Sequence, residues 1–210
     1  MNSSTTQKCS KTSTPPDQDI NCIRCELHKQ AINVCLPTIY YDQSMELLER
    51  FCPVLLILGQ NPGFHEDQQG KPFVGRSGDI LKRSYIEGTN LQEKTHIYLG
   101  NGVRCHTTNN QAPKPRHYTE CNQYLINDLL RIKPTIILTL GAPMTTSFYK
   151  NILGIPKVSL TKSFTLNGNL YTHQEHKIGK IRDFHLFSTY HPAAVMRNNN
   201  LINSVHSHMQ

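Results

Sequence analysis

Three separated segments of this chain carry residue types that can do chemistry together. Gly59-Gln60-Asn61-Pro62-Gly63, Asn101-Gly102-Val103-Arg104-Cys105 and His191-Pro192-Ala193-Ala194 each follow an apolar, strand-like run. They supply amides that donate and accept, an imidazole that titrates near neutral pH, and glycines that let backbone come close to a ligand. In open α/β sheets, ligands bind outside the carboxyl ends of the strands. One sheet would therefore bring all three segments to one pocket.

The elements that must position them can be read from periodicity. Pro53-Val54-Leu55-Leu56-Ile57-Leu58 is a continuous apolar run ending at Gly59, as a buried parallel strand would be. His96-Ile97-Tyr98-Leu99 reads as a second strand, Thr135 to Gly141 as a central one, and Phe184 to Thr189 as a late strand feeding His191. Between them, Phe73 to Ser84 starts as a turn and continues as a short helix. Tyr118 to Ile132 has helical spacing and stops before Pro134, and Ala142 to Asn151 reads as a further helix. This alternation predicts an α/β fold with a parallel sheet covered on both faces. Val158 to Ile181 should hold a hairpin or edge strands turning at Asn167-Gly168.

The chain has 210 residues, enough for one α/β domain with a real core. Residues 1–20 are rich in Ser, Thr, Gln, Asp and Pro without an apolar face, and read as a disordered polar tail ahead of a domain over 21–210. That tail lacks the apolar core of a secretory signal, and no apolar stretch approaches membrane-spanning length. An intracellular protein with no membrane partner is the expectation. The net charge of +7 suggests a polyanionic partner, most simply nucleic acid.

Seven cysteines without a secretion signal point to a reducing compartment, where they serve as metal ligands or core residues. Cys22-Ile23-Arg24-Cys25 is one close pair; Cys105 and Cys121 lie further on. A zinc ribbon would show two close pairs. Four thiolates from distant segments suit a [4Fe-4S] cluster, and Cys105 and Cys121 equally suit small buried hydrophobes. Spacing alone leaves both open. Cys9, Cys35 and Cys52 have no partner at ligand spacing and read as structural.

Taken together, LGQNPGFHEDQQGKPFVGRSGDIL (58–81), NGVRCHTTNNQAPKPRH (101–117) and HPAAVMRN (191–198) resemble the uracil-DNA glycosylase superfamily, most closely its family 4, the iron–sulfur enzymes. Cys22, Cys25, Cys105 and Cys121 fall in the order of that family's four cluster ligands. The resemblance implies a three-layer α/β/α sandwich around a four-stranded, mainly parallel sheet, and a structural [4Fe-4S] cluster. It also implies a DNA partner containing uracil, flipped into the pocket of a monomeric enzyme.

The same resemblance assigns roles. His191 would stabilise the departing uracil anion, as a neutral donor at a helix N-terminus. Asn101 would donate to O4 and accept from N3–H, a pattern that cytosine reverses. Phe73 would stack on the base. Gly59 and Gly63 would let backbone approach it. Relatives with a tyrosine at the second of these glycines reject C5-substituted bases, so Gly63 is expected to leave room there. Family 4 usually has Glu at position 60, where it helps activate water; here Gln60 and Asn61 are both amides. Asp67, ahead of Glu66, is the candidate for the missing carboxylate. Val195 and Met196 are candidates for an apolar wedge, and Arg76, Ser77, Lys114, Arg116 and Arg197 for phosphate contacts. Two other readings remain beside the uracil enzyme. One is a DNA-binding or replication accessory module with weakened catalysis; the other is a glycosylase for a C5-modified uracil.

Overall fold

The computed structural model describes residues 20–41, 53–156, 171–172 and 184–209. Of the expected polar tail only Ile20 falls among them, and the turn at Asn167-Gly168, Cys9 and Cys52 lie outside the described residues.

Among the described residues, six strands form one sheet: β1 (Thr38–Tyr41), β2 (Val54–Gly59), β3 (His96–Asn101), β4 (Ile136–Leu140), β5 (Tyr171–Thr172) and β6 (His185–Thr189), in the order β1-β3-β2-β4-β6-β5. The four central strands β3, β2, β4 and β6 are mutually parallel. The expected four-stranded parallel core is therefore present, with an antiparallel strand added at each edge. These edges carry weak signals. β1 alternates between half-buried and exposed over only four residues, and β5 has two.

The central strands are apolar on both faces because both are covered. Along β2, Leu56 and Leu58 join a core with Leu125 and Leu129 of α3 (Pro115–Ile132) and Met144 and Phe148 of α4 (Ala142–Asn151). Leu55 and Ile57 point the other way, into a core with Leu81, Tyr85, Val195 and Val205. That second layer comes from α2 (Arg76–Ile80), which widens into a π-turn at Leu81–Ile86, with α5 (Pro192–Arg197) and α6 (Leu201–Met209). A further short helix, α1 (Phe64–Gln69), follows β2 directly. Strand periodicity of two thus divides one apolar run between two cores. Truncating a fully buried member such as Leu129 to Ala would cost about 2–5 kcal/mol.

Parallel register aligns the strand ends. Gly59 pairs with Asn101 and Leu140 with Thr189. The breaks after β2, β3 and β6 therefore open at one level of the sheet. Buried hydroxyls tie the last two strands together: Thr139 Oγ1 lies 2.8 Å from both Thr145 Oγ1 and Ser188 Oγ.

Candidate active site

A cleft of about 730 Å³ opens at these strand ends. His191, Asn101, Phe73, Gln60, Asn61 and Gly63 all line it, from three segments far apart in sequence.

His191 is the N-cap of α5, and the Ala193 N–H donates to its Nδ1 at 3.2 Å. A neutral imidazole that accepts at Nδ1 carries its proton at Nε2. Burial, aided by the nearby Arg197 charge and opposed by Glu66, pulls its pKa down to about 4. At neutral pH it is an uncharged ring with one N–H to donate. Two contacts set its position. Tyr85 Oη donates to the carbonyl of the preceding residue, Tyr190, at 2.9 Å. Gly141, with φ +84°, packs so close that a Cβ there would stand 3.1 Å from His191 Cβ.

Asn101 and Phe73 close on Gly59 from two sides. A Cβ at Gly59 would lie 2.6 Å from Asn101 Oδ1 and 2.6 Å from Phe73 Cζ. Any side chain there would displace both groups, so this glycine forms the floor behind the cleft. Phe73 is buried and has φ +56°, a left-handed conformation costly for an aromatic residue. Its carbonyl is accommodated because residue 78 is glycine; a Cβ at that position would collide with it.

The two amides after β2 are placed differently. Asn61 Nδ2 donates to the Pro62 carbonyl at 3.0 Å and to Thr107 Oγ1 at 3.1 Å. That leaves Oδ1 as its free acceptor. Gln60 is held through its backbone, whose carbonyl accepts from the Val103 N–H at 2.9 Å.

The structure reverses the order of the two candidate carboxylates. Asp67 is buried with both oxygens on backbone: Oδ1 accepts from the N–H groups of Ile32 and Asn33 at 3.0 Å each, and Oδ2 from Ile32 at 3.1 Å. It clamps the N-terminal segment onto α1 and does not line the cleft. Its neighbour Glu66 does line it, with Oε1 accepting from the Gly75 N–H at 2.9 Å. Adjacent residues on a helix point about 100° apart, so only one of the pair can face the cleft. Glu66 also stands next to Gly63. A Cβ on residue 63 would meet Glu66 Oε2, the far end of a flexible side chain, at 2.7 Å.

The candidates for DNA contact separate into three groups. Ser77 and Arg197 line the cleft, while Arg76 is exposed at the start of α2. Met196 is exposed, with Ser77 Oγ 3.7 Å from its Sδ. Val195, in contrast, is core: it is 5% exposed and packs in the second apolar layer, so it cannot serve as a wedge. Lys114 and Arg116 lie away from the cleft lining. Arg116 forms an ion pair with Glu26 at 2.6 Å, beside Cys25. Sequence reading did not single out Tyr190, Asn110 or the Gly141-Ala142-Pro143 turn, all of which line the cleft. Gly141 at the end of the clearest strand was the available signal.

Cys22, Cys25, Cys105 and Cys121 line a second, smaller pocket together with the buried Arg104. Burial pushes the thiols of Cys105 and Cys121 up to about 12 and about 11, and the neighbouring cysteines add to it. Among the described residues, no three His, Cys, Asp or Glu side chains are grouped to hold a metal ion. A four-iron cluster is wider than one ion and holds its thiolates further apart. Four thiols in one pocket, Cys105 and Cys121 buried and Cys22 and Cys25 half-buried, fit a group that supplies positive charge. Cys35 stays apart, its Sγ donating to the Glu66 carbonyl at 3.2 Å.

Comparison with known proteins agrees with this architecture. The profile of the uracil DNA glycosylase superfamily matches residues 51–207. The Type-4 uracil-DNA glycosylase of Sulfurisphaera tokodaii is 31% identical over 185 residues, covering 88% of this chain and 76% of that protein. Its counterpart from Saccharolobus solfataricus is 33% identical over 144 residues, or 69% of this chain and 62% of that protein. The one from Thermotoga maritima is 29% identical over 177 residues, or 84% and 79%. With a family match over most of its length and the three strand-end segments gathered in one cleft, the chain belongs to the uracil-DNA glycosylase superfamily.

Proposed function

We propose that this protein flips uracil out of DNA and hydrolyses its N-glycosidic bond, leaving an abasic site and an uncut backbone. The observation that carries this reading is the neutral His191, with its proton at Nε2, in one cleft with Asn101 and Phe73. Bond cleavage produces an oxocarbenium-like sugar and a uracil anion. A donor already in place at the developing oxyanion strengthens its interaction as charge appears. Asn101, buried at the strand end, reads the base edge, and Phe73 supports its face.

Water attacks a sugar cation that reacts readily, so a weak acceptor suffices. Asn61 presents Oδ1, and Glu66 is the carboxylate nearest to hand in the cleft. Glu66 also takes the space beside Gly63, which favours uracil over a C5-substituted base. Ser77, Arg76 and Arg197 contact phosphates, and Met196 is the apolar side chain that enters the duplex. Cys22, Cys25, Cys105 and Cys121 would hold a [4Fe-4S] cluster. That group's contribution is structural, joining the N-terminal segment to the end of β3 and to α3. The protein works as a monomer on DNA inside the cell. Among the described residues, no helix is long and apolar enough to cross a membrane.

The test is release of free base from single- and double-stranded oligonucleotides bearing one uracil, with thymine and 5-hydroxymethyluracil controls. The wild type should release uracil, and His191→Ala should do so about 100- to 1,000-fold more slowly. DNA binding without base release would replace this reading with that of a binding module. Release confined to the C5-substituted bases would replace uracil as the substrate.

A further inference from the structure

The mechanism above leaves Gln60 without an orienting partner, although it stands where the family places a carboxylate. An amide is two-sided. If its nitrogen faces the attacking water, it offers a donor and does nothing for the nucleophile; only the carbonyl oxygen can accept a hydrogen bond from the water and orient it. Something has to choose the side.

Tyr118 stands in the right place. It lies in the first turn of α3 and is 6% exposed. Its hydroxyl, wholly buried, has no hydrogen-bond partner among the described residues. Such a group is costly to bury unless something answers it. Its ring packs on Gly102, where a Cβ would stand 3.3 Å from Tyr118 Cδ1. The backbone on either side of that contact holds position 60. Gly102 N–H donates to the Gly59 carbonyl at 3.0 Å, and Val103 N–H to the Gln60 carbonyl at 2.9 Å. Burial drives the phenol above the ordinary tyrosine range, so Tyr118 is not a base. The Gln60 side chain opposes that shift, as an N–H directed at the phenol oxygen does.

We infer that Tyr118 is a positioning residue for Gln60. Its phenol oxygen answers the Gln60 Nε2–H through one bridging water, which turns Oε1 to the cleft to accept from the attacking water. Asn61 next to it is set the same way, both of its amide hydrogens taken by Pro62 and Thr107 and its oxygen left free. Two adjacent amides then present two carbonyl oxygens in place of one carboxylate.

This rests on the glycosylase reading, and the experiment separates the two. Single-turnover uracil release is measured for wild type, Tyr118→Phe, Gln60→Glu and the double variant across pH. Tyr118→Phe should slow release about 10-fold with unchanged affinity for DNA. Gln60→Glu should release faster than wild type and gain an acidic limb in its pH profile. A carboxylate has two equivalent oxygens and no side to choose. Adding Tyr118→Phe to Gln60→Glu should therefore cost less than about 2-fold. Equal losses in both backgrounds, or none in the first, would overturn the assignment. If the wild type releases no uracil, the glycosylase reading fails on its own, and thermal unfolding then decides the pairing. Non-additive losses for Gln60→Ala and Tyr118→Phe support it, and additive ones overturn it.

Discussion

The cleft and the cysteine pocket share one segment, yet they are built on opposite plans. Asn101 lines the first, and Cys105, four residues on, lines the second. In the cleft, polar groups already hold the hydrogen bonds that fix them: His191 on Ala193, Asn61 on Thr107, Glu66 on Gly75. In the cysteine pocket, burial and the neighbouring thiols hold Cys105 and Cys121 away from ionising. The first is organised by the fold alone. The second would be completed by the cluster proposed for it, whose binding would then feed stability back into the fold.

Breaking the cysteine pocket should therefore have the largest effect. Cys121→Ser removes one of four thiols in a site joining the N-terminal segment to α3. The expected outcome is loss of iron and of visible cluster absorbance, with most of the protein aggregated or unfolded on expression. A well-folded Cys121→Ser protein whose iron content and absorbance match wild type would mean that Cys121 is only a buried hydrophobe, and the contrast between the pockets would collapse. The region has a second tie: the buried Arg104, paired to Asp128 at 2.6 Å and set over the Tyr124 ring. It should keep the β3 end attached to α3 when the thiols are lost.

The cleft should respond to substitution in selectivity more than in folding. Glu66→Ala removes the carboxylate that fills the space beside Gly63. Release of uracil should fall about 10-fold, while the preference for uracil over a C5-methylated base falls by at least as much, because the site gains room for a methyl group. Competition between the two oligonucleotides measures that ratio directly. An unchanged preference would show that Glu66 does not guard the C5 edge.

The two regions were not equally legible in the sequence. Continuous apolar runs ending in Gly or Asn marked the parallel strands and placed His191, Asn101 and Gly59 at their ends, because strand period and strand-end chemistry are local properties. Which of Glu66 and Asp67 faces the cleft was not local. It depends on the Ile32 and Asn33 backbone, more than thirty residues away, capturing Asp67. Val195 and Met196 were ambiguous for the same reason. Both are apolar, and only the packing of α5 against the sheet decides that one is core and the other exposed. Tyr118 could not be linked to Gln60 before the turn at Gly102 brought α3 against the end of β2.

The smallest expected effect is the most specific to the cleft. His191 titrates near 4 in the folded protein and near 6.5 when unfolded. Between those values the unfolded chain binds a proton that the folded one refuses. Stability is thus fully present above about pH 6.5 and declines as the pH falls toward 4. Arg197 steepens this decline, and Glu66 softens it. His191 is not fully buried, so the loss is about 1–2 kcal/mol by pH 4.5. Other histidines, including His208, which burial also lowers, contribute equally to both proteins in a paired comparison. Urea unfolding of wild type and His191→Gln at pH 7 and pH 4.5 isolates the difference. The variant should lose less stability than wild type on acidification by about that amount. Parallel losses would mean that His191 takes up its proton as readily folded as unfolded. The imidazole would then enter the reaction charged, and the contrast between a cleft preset by hydrogen bonds and a pocket waiting for positive charge would no longer hold at its central residue.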